Sequence, residues 1–224
     1  MDLLIFDLDG TLIDSKLDLA HSVNVMRVHM GLPPLENELI STYVGAGAPV
    51  LMRRALGAQA SEEQVGKALE YFLAYYNDHK LDNTRAYAGI PEALEALQRD
   101  GVQMAVLTNK PVIISNRILE GLGLARYFLR VYGGNSFEQK KPNSIGVDTL
   151  LKELGVERSR ALLVGDSAVD VRTARNAGIR VCGVSYGFQP ETLEEAPPDM
   201  MVDRPEELAR IVIAERNNRG ASNS

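Results

Sequence analysis

The chain has 224 residues, with 24 Lys and Arg against 30 Asp and Glu and a net charge of −6. It therefore carries no basic footprint for nucleic acid, and an anionic ligand has to be drawn by a local positive site. No apolar run approaches the roughly 18 residues of a membrane span, Met1 leads straight into an apolar run without a basic leader, and the lone Cys182 excludes an internal disulfide; together these predict a cytoplasmic protein with an inert core thiol.

Leu3-Leu4-Ile5-Phe6 is an apolar run of strand length, and Asp7-Leu8-Asp9-Gly10-Thr11 stands where that strand must stop. Residues two apart on an extended backbone point to one side, roughly 6.5 Å apart. Asp7 and Asp9 can thus address opposite ends of one bond, one attacking while the other handles a proton. Gly10 permits a tight turn, and Thr11 adds a hydroxyl and an amide suited to an anion. From residue 14 to about 82 the pattern is helical, with four helices predicted. Leu19, Val23, Met26 and Met30 form one stripe, and Ser61-Glu62-Glu63-Gln64 is a capping box before a helix whose Leu69, Phe72, Leu73 and Tyr76 face a core. Between them, Gly45 and Gly47 either let the backbone approach a small ligand, with helix-start amides facing a carboxylate, or form a plain turn. Arg54 either pairs a substrate carboxylate or covers the surface of this helical region.

Further along, Pro91 opens a helix that closes near Gly101, with Leu94 and Leu97 inward. The strand predicted over 104–107 ends at Thr108-Asn109, a pair that in isolation is more often a helix N-cap than a ligand. A weaker strand over Arg130–Tyr132 precedes Lys140-Lys141-Pro142 and a helix over 144–154. The run 162–164 ends at Gly165-Asp166-Ser167, with Asp170 one helical turn on. Strands over 179–184 and Met200–Val202 and a helix over 205–214 complete the pattern, and residues 216–224, without apolar periodicity, are expected to be disordered. Strands alternating with helices predict a doubly wound parallel α/β sheet, formed by 1–13 and 83–215, with an all-helical insertion over 14–82.

The ordered set Asp7-Leu8-Asp9-Gly10-Thr11, Thr108-Asn109, Lys141-Pro142 and Gly165-Asp166-Ser167 with Asp170 resembles the four motifs of the haloacid dehalogenase superfamily of aspartate-nucleophile phosphatases, over roughly residues 3–208. A closer likeness to phosphoglycolate phosphatases rests on the continuation Leu12-Ile13-Asp14-Ser15 and on Gly45-Ala46-Gly47. The resemblance implies that Asp7 is the nucleophile and forms an aspartyl-phosphate, and that Asp9 first protonates the departing alkoxide and then activates water. It assigns the phosphoryl oxygens to Thr108 and Asn109, alongside Gly10 and Thr11. Lys141, preferred to Lys140 because it immediately precedes Pro142, supplies charge in the transition state. The family's second proline two residues on is Ser144 here.

A phosphate and Asp7 about 4 Å apart repel by several kcal/mol at an effective dielectric near 20, so a divalent cation is required. Hard oxygen ligands favour Mg²⁺, held by the Asp7 carboxylate, the Asp9 carbonyl and Asp166, with Asp170 facing the same site or holding metal waters or, alternatively, exposed on its helix. His21, His29 and His79 lack partners at ligand spacing. The insertion is expected to be a cap over the active site, hinged near Asp14 and near Asp82-Asn83-Thr84. The reading is a Mg²⁺-dependent phosphatase of a small phosphorylated metabolite, foremost 2-phosphoglycolate, with no nucleic-acid or membrane partner and with the oligomeric state open. A sugar-phosphate or nucleotide phosphatase, a pyrophosphatase, a phosphomutase and a catalytically silent binding relative are the alternatives.

Overall fold

The apolar, branched runs become strands because each is too short for a buried helix and is bounded by turn residues. In a computed structural model that describes the backbone of residues 1–222 and the side chains of residues 1–218, the chain order is β1 (Leu3–Phe6), β2 (Ile13–Asp14), α1 (Lys16–His29), α2 (Asn37–Ser41), α3 (Ala48–Leu56), α4 (Glu62–His79), β3 (Arg85–Ala86), α5 (Ile90–Arg99) and β4 (Gln103–Leu107). There follow α6 (Val112–Gly121), β5 (Arg130–Tyr132), α7 (Ile145–Leu154), β6 (Ala161–Gly165), α8 (Ala168–Ala177), β7 (Arg180–Val184), α9 (Thr192–Glu195), β8 (Met200–Val202) and α10 (Pro205–Ser222).

One parallel sheet runs in the order β5-β4-β1-β6-β7-β8. Strand β1 lies at its centre, and the order reverses there, since β4 and β5 extend to one side and β6 to β8 to the other. Ligands of open α/β sheets bind beyond the carboxyl ends of strands at such a reversal. The register sets Phe6 level with Val106 and Val164, which brings Asp7, Thr108 and Asp166 to one edge. Alternate residues of the strands feed two cores. Leu4, Phe6, Val106 and Val164 pack with Leu94, Ile118 and Val212 on one face, and Leu3, Ile5, Ala105 and Leu163 pack with Val147, Leu150 and Val171 on the other. Cys182 is buried in the first of these, and burial pushes its thiol up to about 12.

Helices α1 to α4 bury Val23, Met26, Ile40, Met52, Ala68 and Phe72 in common. The capping box at Ser61 forms as expected, with the Gln64 backbone N–H donating to the Ser61 hydroxyl and the Ser61 N–H donating to the Gln64 side-chain oxygen. Two features at the ends of this region lie outside the sequence reading. The crossings pair as a two-residue antiparallel ribbon, β2 with β3. Beside it the buried Asp18 carboxylate accepts from the backbone N–H groups of Asn83 and Thr84, the Asn83 amide and the Thr84 hydroxyl, at 2.7–3.0 Å. Burial would raise this carboxyl, and those four donors more than offset it, so it stays below its usual range.

The expected disordered tail is corrected over its described part. Helix α10 continues to Ser222, and within it Arg216 pairs with Asp2 at 2.7 Å and Asp100 at 3.0 Å and donates to the Met1 carbonyl. Positions 223 and 224 lie outside the described residues. Among the described residues no helix is long and apolar enough to cross a membrane.

Candidate active site

Strand β1 ends with the Asp7 N–H donating to the Val164 carbonyl, so the sheet itself fixes the base of the Asp7 side chain. Opposite stands Lys141, whose Nζ lies 2.8 Å from Asp7 Oδ1 and 2.6 Å from Asp170 Oδ1, with only 2 % of its side chain exposed. The peptide bond from Lys141 to Pro142 is cis. Burial alone would lower the Lys141 ammonium, but Asp170 and Asp7 overcome it and hold the lysine protonated. Asp170 is fully buried, where a place on the exposed helix surface was the alternative. It also caps α8, accepting from the Ser167 N–H and hydroxyl.

Asp7, Asp166 and Asp170 present oxygens within 4.8 Å of one another. Burial first, then the charges of Asp170 and Asp7, push Asp166 up to about 8; burial, partly offset by Lys141, pushes Asp7 up to about 6. Three buried carboxylates against one ammonium leave an excess of negative charge that a small divalent cation would neutralise, and an all-oxygen donor set suits a hard ion. The residues present therefore fit such a cation. Asp166 is pre-oriented by the N–H of Phe188 at 2.6 Å and of Gln189 at 3.3 Å. Gly10, at φ +81°, and Gly187 both press on it, and a Cβ at either would come within 2.2 Å of an Asp166 atom.

This arrangement carries a stability signature. Unfolded carboxyls titrate near pH 4, so between about pH 4 and 8 the folded chain retains protons at Asp7 and Asp166 that the unfolded chain has released. The site's contribution to stability is present below the unfolded value and is lost as pH rises through the folded ones. In chelator, this contribution should lower the melting temperature from pH 5.5 to pH 8, and a divalent cation should raise it more at pH 8 than at pH 5.5. A cation effect absent at pH 8 in differential scanning fluorimetry would count against the cluster as a cation site.

Asp9 lines the same cavity but is held by a different set of groups. Its carboxylate accepts from Lys110 Nζ at 2.9 and 3.0 Å and from the Ser15 hydroxyl at 2.5 Å. Lys110 was not singled out in the sequence, although it directly follows Thr108-Asn109; a lysine before a proline reads as a solvated loop, and only the fold shows it 5 % exposed. Thr108 lines the cavity above Asp7. Asn109 lines it too, but its side-chain N–H groups hold the carbonyls of Gly45 and Lys141 at 2.9 and 3.1 Å, so they tie loops together. Gly10 and Thr11 differ from the expectation. Neither lines the cavity, and their amides close the turn on Ile13 and Leu8. The Thr11 hydroxyl is buried.

The cavity, about 50 Å³, is lined on the core side by Asp7, Asp9, Thr108, Lys110 and Asp166. On the helical side the walls are Leu19, Val44, Gly45, Gly47, Leu51, Phe72, Leu73 and Tyr76. Leu19 of the α1 stripe and Phe72, Leu73 and Tyr76 of α4 therefore serve the cavity as well as the helical core. Three core side chains grip the loop before α3 by its backbone: Asn109 on Gly45, Lys140 on the Ala46 carbonyl at 2.6 Å, and Gln189 on the carbonyls of Thr42 and Val44 at 3.0 Å. Lys140 thus has a partner distinct from that of Lys141. Arg54 is exposed, reaches toward the Tyr43 carbonyl at 3.3 Å and does not line the cavity, so contact with a substrate carboxylate is not part of this geometry. The histidines pair locally, His79 with Asp82, His21 with Tyr75, and His29 stacked on Tyr71.

Comparison with known proteins adds the following. The family described as haloacid dehalogenase-like hydrolase matches residues 4–184. A phosphoglycolate phosphatase of Vibrio parahaemolyticus is 38% identical over 217 residues, which covers 94% of this chain and 95% of the relative. One from Pseudomonas savastanoi pv. phaseolicola is 40% identical over 208 residues, covering 90% and 76%. The crystal structure of a predicted phosphoglycolate phosphatase from Haemophilus somnus has a TM-score of 0.90 at 32% identity, covering 94% of this chain and 97% of that one.

Proposed function

The chain belongs to the haloacid dehalogenase-like hydrolase family and is a phosphatase, and from that premise we propose that it hydrolyses 2-phosphoglycolate, with Mg²⁺, through an aspartyl-phosphate on Asp7. The observation that carries this reading is the buried Asp7 carboxylate at the floor of the cavity, 2.8 Å from Lys141, with Asp9 lining the same space. An Asp7 oxygen attacks phosphorus as the bond to the leaving oxygen breaks, and Asp9 delivers a proton to that oxygen. Asp9 then takes a proton from the water that attacks the phosphoryl group, which releases phosphate and restores Asp7. Lys141 and the Thr108 hydroxyl stabilise charge developing on the phosphoryl oxygens. A divalent cation held by Asp7, Asp166 and Asp170 would supply the remaining positive charge when bound.

One further observation favours 2-phosphoglycolate. The relatives named phosphoglycolate phosphatase span nearly the whole chain. The test is phosphate release from a panel of esters with Mg²⁺ and with chelator. 2-Phosphoglycolate should lead the panel, and chelator should remove activity. Asp9→Asn should lose far more kcat/KM with alkyl phosphates than with acetyl phosphate, whose leaving group needs little protonation. An equal loss on both would remove Asp9 from proton transfer, and formation of isomeric sugar phosphates in place of free phosphate would point to a mutase.

A further inference from the structure

Lys110 is the buried cation of the cavity that the four motifs leave without a role. Its Nζ reaches both oxygens of Asp9, at 2.9 and 3.0 Å, and donates to the Tyr76 hydroxyl at 2.7 Å. The same ammonium lies 4.6 Å from the centre of the Tyr76 ring. Tyr76 is 1 % exposed on α4 and stacks on Phe72, with ring centres 5.5 Å apart and planes within 6°. The Ser15 hydroxyl, just before α1, holds Asp9 from another direction. The carboxylate is therefore held directly by two groups, Lys110 and Ser15, and through Lys110 by Tyr76; Ser15 adjoins the helical region and Tyr76 belongs to it.

We propose that Lys110 and Tyr76 are positioning residues that aim Asp9 at the leaving oxygen, so that the seating of α4 on the sheet edge sets the orientation of the proton-transfer group. This rests on the reading of Asp9 given above. A carboxylate has free rotation about χ2, and a bidentate contact with one ammonium removes that freedom. The ammonium itself has three rotatable protons on a flexible stem, and the Tyr76 hydroxyl with the face of its ring confines it. Tyr76 cannot follow a displaced lysine, because it is locked against Phe72 in a packed helical core. Asp9 therefore points correctly only while the helical region is in place.

The test uses ethyl phosphate and acetyl phosphate, which match in size, lack a carboxylate and differ in the basicity of the leaving group. The quantity read is kcat/KM, which covers steps through departure of the leaving group and omits hydrolysis of the phospho-enzyme. Lys110→Met should raise the acetyl-to-ethyl ratio by about tenfold or more, since misaimed proton delivery hurts the basic leaving group most. Tyr76→Phe removes one hydroxyl and keeps the stacked ring. It should move the ratio in the same direction, by about threefold, with a near-wild-type melting temperature. Lys110→Arg should recover part of the loss. An unchanged or lowered ratio in both Lys110→Met and Tyr76→Phe overturns the proposal while leaving the phosphatase reading intact. A defect confined to 2-phosphoglycolate also overturns it and makes Lys110 a substrate-carboxylate contact instead. If Asp9→Asn itself leaves the ratio unchanged, the reading of Asp9 and this proposal fall together.

Discussion

Asp7→Asn should release no phosphate above background, a loss of at least about a thousandfold, while the chain stays folded. The amide has the same shape and keeps the backbone bond to Val164, but its oxygen is not a nucleophile toward phosphorus. The usual objection to such a variant, that removing a buried charge damages the fold, is weak at this position. Asp7 belongs to a cluster with more carboxylates than cations, and burial already holds its carboxyl up at about 6. Lys141 keeps Asp170 as a partner at 2.6 Å. The variant should therefore melt at or above the wild-type temperature in chelator at pH 8. Activity above about a hundredth of wild type, with deamidation excluded by mass spectrometry, would sink the nucleophile assignment.

The second large effect is expected at Lys141, and there fold and chemistry should fail together. Lys141→Met leaves Asp7, Asp166 and Asp170 facing one another with no ammonium among them. Breaking a buried ion pair from one side costs about 3–5 kcal/mol, because the remaining charges stay buried. The loss should be largest at high pH in chelator and shrink at pH 5, where the carboxyls can take protons, or on adding a divalent cation. Cation-loaded protein should fold and still lose about a hundredfold or more in kcat/KM, since the charge that meets the phosphoryl oxygens is gone. Chemical denaturation with and without cation, alongside phosphate release, separates the two. Activity within tenfold of wild type in the folded, loaded variant would take the ammonium out of the reaction.

Legibility in the sequence followed the range of the interaction. Asp7, Thr108 and Asp166 were readable because each ends a short apolar run, and parallel pairing brings those ends to one edge. The capping box of α4 was readable because both partners lie within four residues. Lys110, Lys140 and Gln189 were not. Their partners are Asp9, Ala46, Thr42 and Val44, between 94 and 147 residues away, and backbone carbonyls leave no side-chain signal. The end of α10 was hidden for the same reason, because Arg216 finds Asp2 and Asp100 across the fold while its neighbours show no apolar period. Gly10 and Thr11 show the opposite error. Their composition suits an anion-binding loop, but the turn consumes their amides on Leu8 and Ile13.

The ribbon of β2 and β3, with Asp18 holding Asn83 and Thr84, means that the chain leaves the sheet edge and returns to it through nearly the same point. Paired antiparallel residues sit about 5 Å apart, which is the span of a tight turn. Closing a flexible excursion of this length costs about 4 kcal/mol of chain entropy beyond a constant, and the ribbon and the buried carboxylate are where the molecule meets that cost. Geometrically, the parallel sheet cannot distinguish roughly seventy residues at this junction from a hairpin. Natural variation or engineering can therefore exchange the whole excursion for another of different length without altering the strand order, provided the replacement also brings its ends together.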